Sequence, residues 1–391
     1  MFIFVKSFVW ILIYSVSFFL FYNQVYNRYP GDMSAHIEFI NNLDLIAHPL
    51  WHLSVQFISE LFSIPIRHSI ILFTSSLVLS TFIIITAILD FILKDELHFM
   101  RKAHKQYLLL FASLILLIVS AIYFPFFNQS IYLGQSACGI WHNVTLLMVK
   151  PFAFLSMFFT ILYIHTKNTK FFILGFIFTI TSIFAKPSFI IVFLPSLYLF
   201  ILYYLYKEEN RSLKELLHIK KIFNNHKHIF IYLFIITLVS IGILISQFLT
   251  IFGETNPVNS KIIFDFLGVW SSYTPNVVTS LLLTVMFPLL TLIFIRPTKN
   301  DFYILSVIMF IISILIYSLF AESGHRYYDG NFAWTMHITY HILFVFSVIE
   351  FLKGYQALND WKKYLLSITL SLHILSGLFY LGKILSGMTY V

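Results

Sequence analysis

A chain of 391 residues that is 59% hydrophobic and only 11% charged, with a mean hydropathy of +0.86, carries less than half the charge of an ordinary soluble domain. That excludes a soluble globular fold and indicates a polytopic membrane protein, with residues 1–391 forming one integral-membrane domain. A single cysteine, Cys138, excludes an internal disulfide and any cysteine-based zinc site. The net charge of +8 would suggest nucleic acid in a soluble protein. Here basic connectors beside an anionic leaflet account for most of it, and no nucleic-acid partner is expected.

In chain order, apolar runs fall at 2–22, 69–93, 107–124, 144–164, 171–184, 189–206, 229–251, 277–295, 302–320, 332–351 and 364–381. They predict an all-α transmembrane helix bundle of about 11 spans. The first run has only Lys6 before it and no Ala-x-Ala site after it, so it reads as a retained helix rather than a signal peptide. The fifth and sixth runs meet at Lys186-Pro187 and form either a tight hairpin or one broken helix. Charge favours the hairpin. With the N-terminus in the cytoplasm, most of the 25 lysines and arginines fall inside, and only Arg28, Arg67, Lys150, Lys186, Lys261, Arg326 and Lys383 fall outside. The longest cytoplasmic loop, about 207–228, is too short to fold alone. The outside loops place isolated charges among Gly, Pro, Trp, His and Asn. Their carboxylates include Asp32, Glu38, Asp44, Glu60, Glu254, Asp265, Glu322 and Asp329, so the chemistry is expected on that side.

The first outside loop, about 23–66, predicts interfacial helices. Trp51, Val55, Ile58 and Phe62 share one helical face, with His52, Gln56, Ser59 and Ser63 on another. Directly after the first span, Pro30-Gly31 makes a turn that leaves Asp32 at the start of a helix. Asp32 is either an N-cap or a catalytic base, and the two roles are compatible. His36, at i+4, is placed to orient Asp32 or to contact a phosphate, and Glu38 is a lesser candidate.

In the second outside loop, Trp141, His142 and Asn143 open the fourth span as an acceptor or loop site, together with His52 from the first loop. Lys150 follows within that span, where a lysine needs a polar cavity or an anion, and Lys186 repeats the theme. The third outside loop, 253–276, is long enough to act as a lid. The fourth carries His325 and Arg326, a pair suited to binding phosphate, with an Arg326 ion pair to Glu322 or Asp329 as the alternative. His337 and His341 sit at i, i+4, but no acidic third ligand accompanies them, so no metal is expected.

The stretch Tyr29-Pro30-Gly31-Asp32 through His48-Pro49-Leu50-Trp51-His52, set in a many-span layout with basic later loops, resembles the GT-C glycosyltransferase superfamily. The chain departs from that family's pattern in lacking the second acid of its common Asp-Asp or Asp-Glu pairs, and no cofactor is expected. The resemblance implies inverting transfer of a sugar from a polyprenyl-phosphate donor to an extracytoplasmic glycan or lipid-linked acceptor. Asp32 would be the general base, and Arg326, His325, Lys150 and Lys186 would surround the donor phosphate. An enzyme of cell-envelope polysaccharide biosynthesis is expected, and the low-GC flavour of the composition and the absence of eukaryotic sorting signals point to a bacterial inner membrane. Two alternatives stand beside it: an O-antigen-type polymerase or ligase led by Arg326 and His325, and a lipid-linked oligosaccharide flippase. The nearly uncharged span centres and the lack of an internal repeat count against the flippase.

Overall fold

The computed structural model describes residues 2–40, 43, 46–98, 100–128, 130–208, 219–252, 260–297 and 300–388. Asp44, Glu254, the middle of the 207–228 connector and part of the proposed lid at 253–276 lie outside the described residues. The fold is an all-α bundle. Its helices are α1 (Phe2–Tyr26), α2 (Met33–Ile40), α3 (Leu50–Phe62), α4 (Ile66–Ile92), α5 (Lys102–Ile118), α6 (Val144–Thr166), α7 (Thr169–Ala185) and α8 (Ser188–Glu208). They continue with α9 (Ile219–Asn225), α10 (Lys227–Phe252), α11 (Gly268–Tyr273), α12 (Val277–Ile295), α13 (Asp301–Leu319), α14 (Ala333–Gly354) and α15 (Asp360–Leu385). Among the described residues, nine helices are long and apolar enough to cross a membrane. Each apolar run of the sequence contributes to one helix, α5 and α7 being the shortest of these at 17 residues each.

α14 is the axis of the bundle, buried at every residue from Ala333 to Phe351. Helices α1 and α10 lie at the rim, with Phe4, Phe8, Phe234 and Leu238 exposed. Exposed apolar side chains of this kind are favourable only against lipid. The junction at Lys186-Pro187 is a hairpin. His165 at the end of α6 and Lys207 at the end of α8 both reach Asp301, so α7 starts and α8 finishes at the same end of the bundle. Pro187 cannot donate to the α7 ladder, and the Lys186 backbone is extended, which ends α7 there.

The 107–124 run does not remain helical throughout: α5 stops at Ile118. Gly377 of α15 lets the chain press in at that point, since a Cβ there would lie 2.0 Å from the Ile118 carbonyl oxygen. The following segment, expected as an outside loop, is largely sunk into the protein, and its described residues from Asn128 to Asn143 are buried except for half-buried Tyr132. Irregular backbone is tolerable at such depth only if its polar groups find partners inside the protein. Here Ser120 N donates to His373 O at 3.3 Å, Ala121 N to Ser136 O at 2.8 Å, Ile122 N to Leu283 O at 3.2 Å and Cys138 N to Val119 O at 3.0 Å.

Strand β1 (Ile262–Phe264) pairs antiparallel with β2 (Phe320–Glu322), Ile262 facing Glu322. This ribbon, with the 3-10 turn Gly324–Asp329, joins the third and fourth loops. In the first loop, α3 buries Trp51, His52 and Val55, and Trp51 Nε1 donates to Thr74 Oγ1 of α4 at 3.3 Å. The stripe read from sequence therefore faces the bundle at its Trp51–Val55 end. The exposed apolar row is instead Leu53, Phe57 and Leu61, with Phe62.

Candidate functional site

The α2, α3 and α6 ends, the Lys186 turn and the β2 loop meet at one end of the bundle. Gln24 near the end of α1 staples two loops, its Nε2 donating to both Pro30 O and Trp141 O at 3.4 Å. Asp32 N then donates to His142 O at 3.1 Å. This fixes Asp32 against the start of α6. Its carbonyl accepts from His36 N at 3.1 Å as α2 begins, but its carboxylate reaches across the site instead of capping that helix. Asp32 Oδ2 accepts from Asn143 Nδ2 at 2.9 Å.

Asn143 is the hub. Its Oδ1 caps α6 by accepting from Leu146 N at 2.9 Å. The same oxygen accepts from Thr145 Oγ1 at 3.0 Å and Lys186 Nζ at 3.4 Å. Lys186 also donates to Thr145 Oγ1 at 3.0 Å and lies over the Trp334 ring at 5.2 Å. Asp32, Asn143 and Lys186 thus form one connected polar unit.

Beyond Lys186 opens a cavity of about 420 Å³. Its polar lining is Lys186, His48, Gln247, Glu322, Arg326 and Asn331 among other side chains. An apolar wall comes from α10, including Leu244, Phe248 and Phe252, and the Arg326 guanidinium lies 5.9 Å from the Phe252 ring. Arg326 Nε pairs with Glu322 Oε2 at 2.7 Å, and Asp329 stands further off at 3.9 Å. Asn331 Nδ2 donates to the same Glu322 oxygen at 2.9 Å. The ion-pair alternative for Arg326 is therefore realised, and the guanidinium borders the cavity as well.

Burial sets the electrostatics. It raises the Asp32 carboxyl above the ordinary carboxylate range, against the lowering influence of Lys186 and the Asn143 hydrogen bond. Burial lowers Lys186 to about 8, partly opposed by Asp32. Glu322 is raised by burial against the pull of Arg326. Burial drives His142 and His48 down to about 3, and His52 to about 4, so all three are neutral imidazoles at pH 7.

The structure brings together Asp32, Asn143, Lys186 and Arg326 from the sequence candidates. His36 and His52 form a neighbouring pair, His36 Nδ1 lying 3.0 Å from His52 Nε2. The carbonyls of Trp141 and His142 accept from Gln24 and Asp32, and the His142 ring packs on Tyr132 at 4.6 Å and on Trp334 at 6.0 Å. Two phosphate candidates stand apart. Lys150 does not border the cavity; it is 3% exposed and donates to the Cys138 carbonyl, holding the sunken segment in place. His325 is exposed on the turn and does not line the cavity, and Glu38 is exposed on α2. Gln24 and His48 carried no role in the sequence reading. His48 lies within the stretch that carries the family resemblance and Gln24 in no motif, and only the tertiary meeting of loops gives either a place at the site. Among the described residues no group of three His, Cys, Asp or Glu is placed to hold a metal ion.

No family model matches this chain, and neither a curated protein nor a solved structure is similar to it.

Proposed function

We propose that this protein is an inverting membrane glycosyltransferase that takes a sugar from a polyprenyl-phosphate donor. The observation that carries the proposal is the cavity beside Lys186. An anionic amphiphile needs cations next to apolar surface, and Lys186 and Arg326 border this cavity together with the apolar residues of α10. The sugar-bearing phosphate would rest at the cation end, with the prenyl chain along α10 and out between helices into the bilayer.

Asp32 is the base. An acceptor hydroxyl attacks the anomeric carbon, a new carbon–oxygen bond forms, and the hydroxyl proton passes to the Asp32 carboxylate. The bond from the anomeric carbon to the phosphate oxygen breaks, and the polyprenyl phosphate departs with the electron pair. Lys186 and Arg326 stabilise the charge on that leaving group. Asn143 holds the base in place and links it to Lys186, so base and phosphate site are positioned as one unit.

The N-terminus would be cytoplasmic, and the site would open on the outer face of a bacterial inner membrane, as the distribution of basic residues favours. The acceptor would be a glycan or lipid-linked saccharide. The test is transfer by purified protein from radiolabelled polyprenyl-phosphate sugars to a cell-envelope lipid extract. Wild type should transfer label, and Asp32→Asn should bind donor without transferring it. Equal transfer by both would remove Asp32 from the mechanism.

A further inference from the structure

The cavity beside Lys186 is not a closed chamber, and α10 shows where it leads. Its lining side chains Ile241, Leu244, Ile245, Phe248, Ile251 and Phe252 recur at i, i+3, i+4, i+7, i+10 and i+11, which is one face of a helix over three turns. At 1.5 Å per residue that face is about 16 Å long. Its direction is fixed at two points. The Phe252 ring lies 5.9 Å from the Arg326 guanidinium, and Gln247 Nε2 donates to Ile183 O at 3.1 Å, within a turn of Lys186. The cations therefore sit at the Phe252 end, and the Ile241 end points toward the middle of the span.

One edge of this face is open. Ile241, Ile245 and Phe248 line the cavity and are also exposed on the surface of the bundle, so the cavity is continuous with the lipid-facing side of α10. The same row runs on through Leu238, Phe234 and Ile231, which are exposed but no longer border the cavity. A groove thus leads from the cations to Ile241 and there gives way to bare helix surface. Its length is about half of the roughly 30 Å hydrocarbon core, the depth of one leaflet. An amphiphile standing in that leaflet, with its anionic head beside Lys186 and Arg326, would enter through this edge without leaving the membrane.

A prenyl unit advances its chain by four carbon–carbon bonds of about 1.5 Å each, or about 5 Å when extended, so the groove holds about three units. Resting on the proposed donor site, we infer that the 241–252 face of α10 is a tail subsite that seats about the first three prenyl units of the carrier, admits the donor sideways from the leaflet at that end of the bundle, and takes no part in recognising the rest of the tail. Units beyond the groove stay in lipid, where the helix surface offers them nothing that acyl chains do not. Carriers of different total length are then equivalent, provided that they fill the groove.

The test is photocrosslinking and equilibrium binding with the full chain in nanodiscs. The crosslinking probes are undecaprenyl phosphates carrying a diazirine in the third prenyl unit or in the last. With wild type, the third-unit probe should label α10 close to Ile241, and the end-of-tail probe should label chiefly nanodisc lipid. Leu244→Trp, which fills the groove, should weaken binding of undecaprenyl phosphate by about tenfold, a usual cost of overpacking. Leu238→Trp, on the same helix beyond the groove, should leave it unchanged. At equal mole fraction in the bilayer, farnesyl phosphate, with its three units, should bind as well as undecaprenyl phosphate. Third-unit labelling confined to helices other than α10, unimpaired binding in Leu244→Trp, equal weakening by Leu238→Trp, or much weaker binding of farnesyl phosphate overturns the tail subsite and leaves the phosphate site standing. Failure of wild type to bind any of these lipids overturns the donor site itself, and the tail subsite with it.

Discussion

The two ends of this bundle each hold a cavity lined by lysine, arginine, histidine and carboxylates, and they use those residues differently. At the end opposite the candidate site, the space bordered by His165, Lys207, Asp301, Glu350 and Lys353 is internally neutralised. Asp301 takes both His165 at 3.1 Å and Lys207 at 3.0 Å, and Glu350 takes Lys353 at 3.7 Å. At the candidate site Arg326 is likewise paired, with Glu322 at 2.7 Å, but the hydrogen bonds of Lys186 go to a hydroxyl and an amide oxygen, and one wall is hydrocarbon. A cation saturated by carboxylates anchors helices. A buried cation held by neutral oxygens keeps most of its field for an incoming anion. Composition alone would not separate the two clusters; the partners of Lys186 do.

The comparison is broken most directly at Asp32. Asp32→Asn keeps the volume and the contact with Asn143 but removes the base. Transfer should fall by about a hundred- to ten-thousand-fold with donor affinity preserved, read from single-turnover transfer and lipid binding side by side. Loss of both together would mean that the carboxylate is structural.

The paired and unpaired cations can then be exchanged as tests. Lys186→Met should weaken binding of a polyprenyl-phosphate donor by about ten- to a hundredfold, one charge-assisted contact in a buried site. Lys207→Met should leave donor binding unchanged and lower thermal stability by about 1–3 kcal/mol, because Asp301 loses a partner while buried. If the two variants behaved alike, the distinction between the ends would collapse.

The same contrast gives a pH signature. Donor binding should hold below about 8 and weaken as pH rises through that value, because Lys186 is pulled down to about 8 by burial and loses its charge there. The acid limb of turnover should lie above the ordinary carboxylate range, since burial raises Asp32 and only the ionised form accepts a proton. Arg326, Glu322 and Asp329 share this field. Lys186→Arg, which stays charged, should remove the alkaline loss of binding.

Much of this was legible in the sequence, and what escaped has physical reasons. Apolar runs with basic residues between them located the bundle helices, because lipid forces that composition on any spanning helix. The Lys186-Pro187 hairpin followed from charge alternation. The sunken segment after Ile118 did not, because a loop buried in protein is as apolar and small as a helix interior, and only Gly377 on a distant helix makes room for it. Asp32 stood out because a carboxylate after a first span is rare. Its partner Asn143 was placed in an acceptor or loop site and not beside Asp32, since a contact between residues 32 and 143 leaves no trace in spacing.

Lys150 makes the smallest test and the sharpest one of this last point. Sequence placed it with Lys186, as a lysine costly enough to need an anion. In the fold it turns toward the Cys138 carbonyl and borders, with His341 and Trp141, a space of about 10 Å³, room for little more than a single water. Lys150→Met should therefore cost about 1–3 kcal/mol of stability, the penalty for leaving a buried carbonyl without its donor, and should leave donor affinity and its pH dependence as in wild type. If instead Lys150→Met weakened donor binding as much as Lys186→Met, the phosphate would have to lie deeper than the cavity beside Lys186. The unpaired cation that matters would then be the one inside α6.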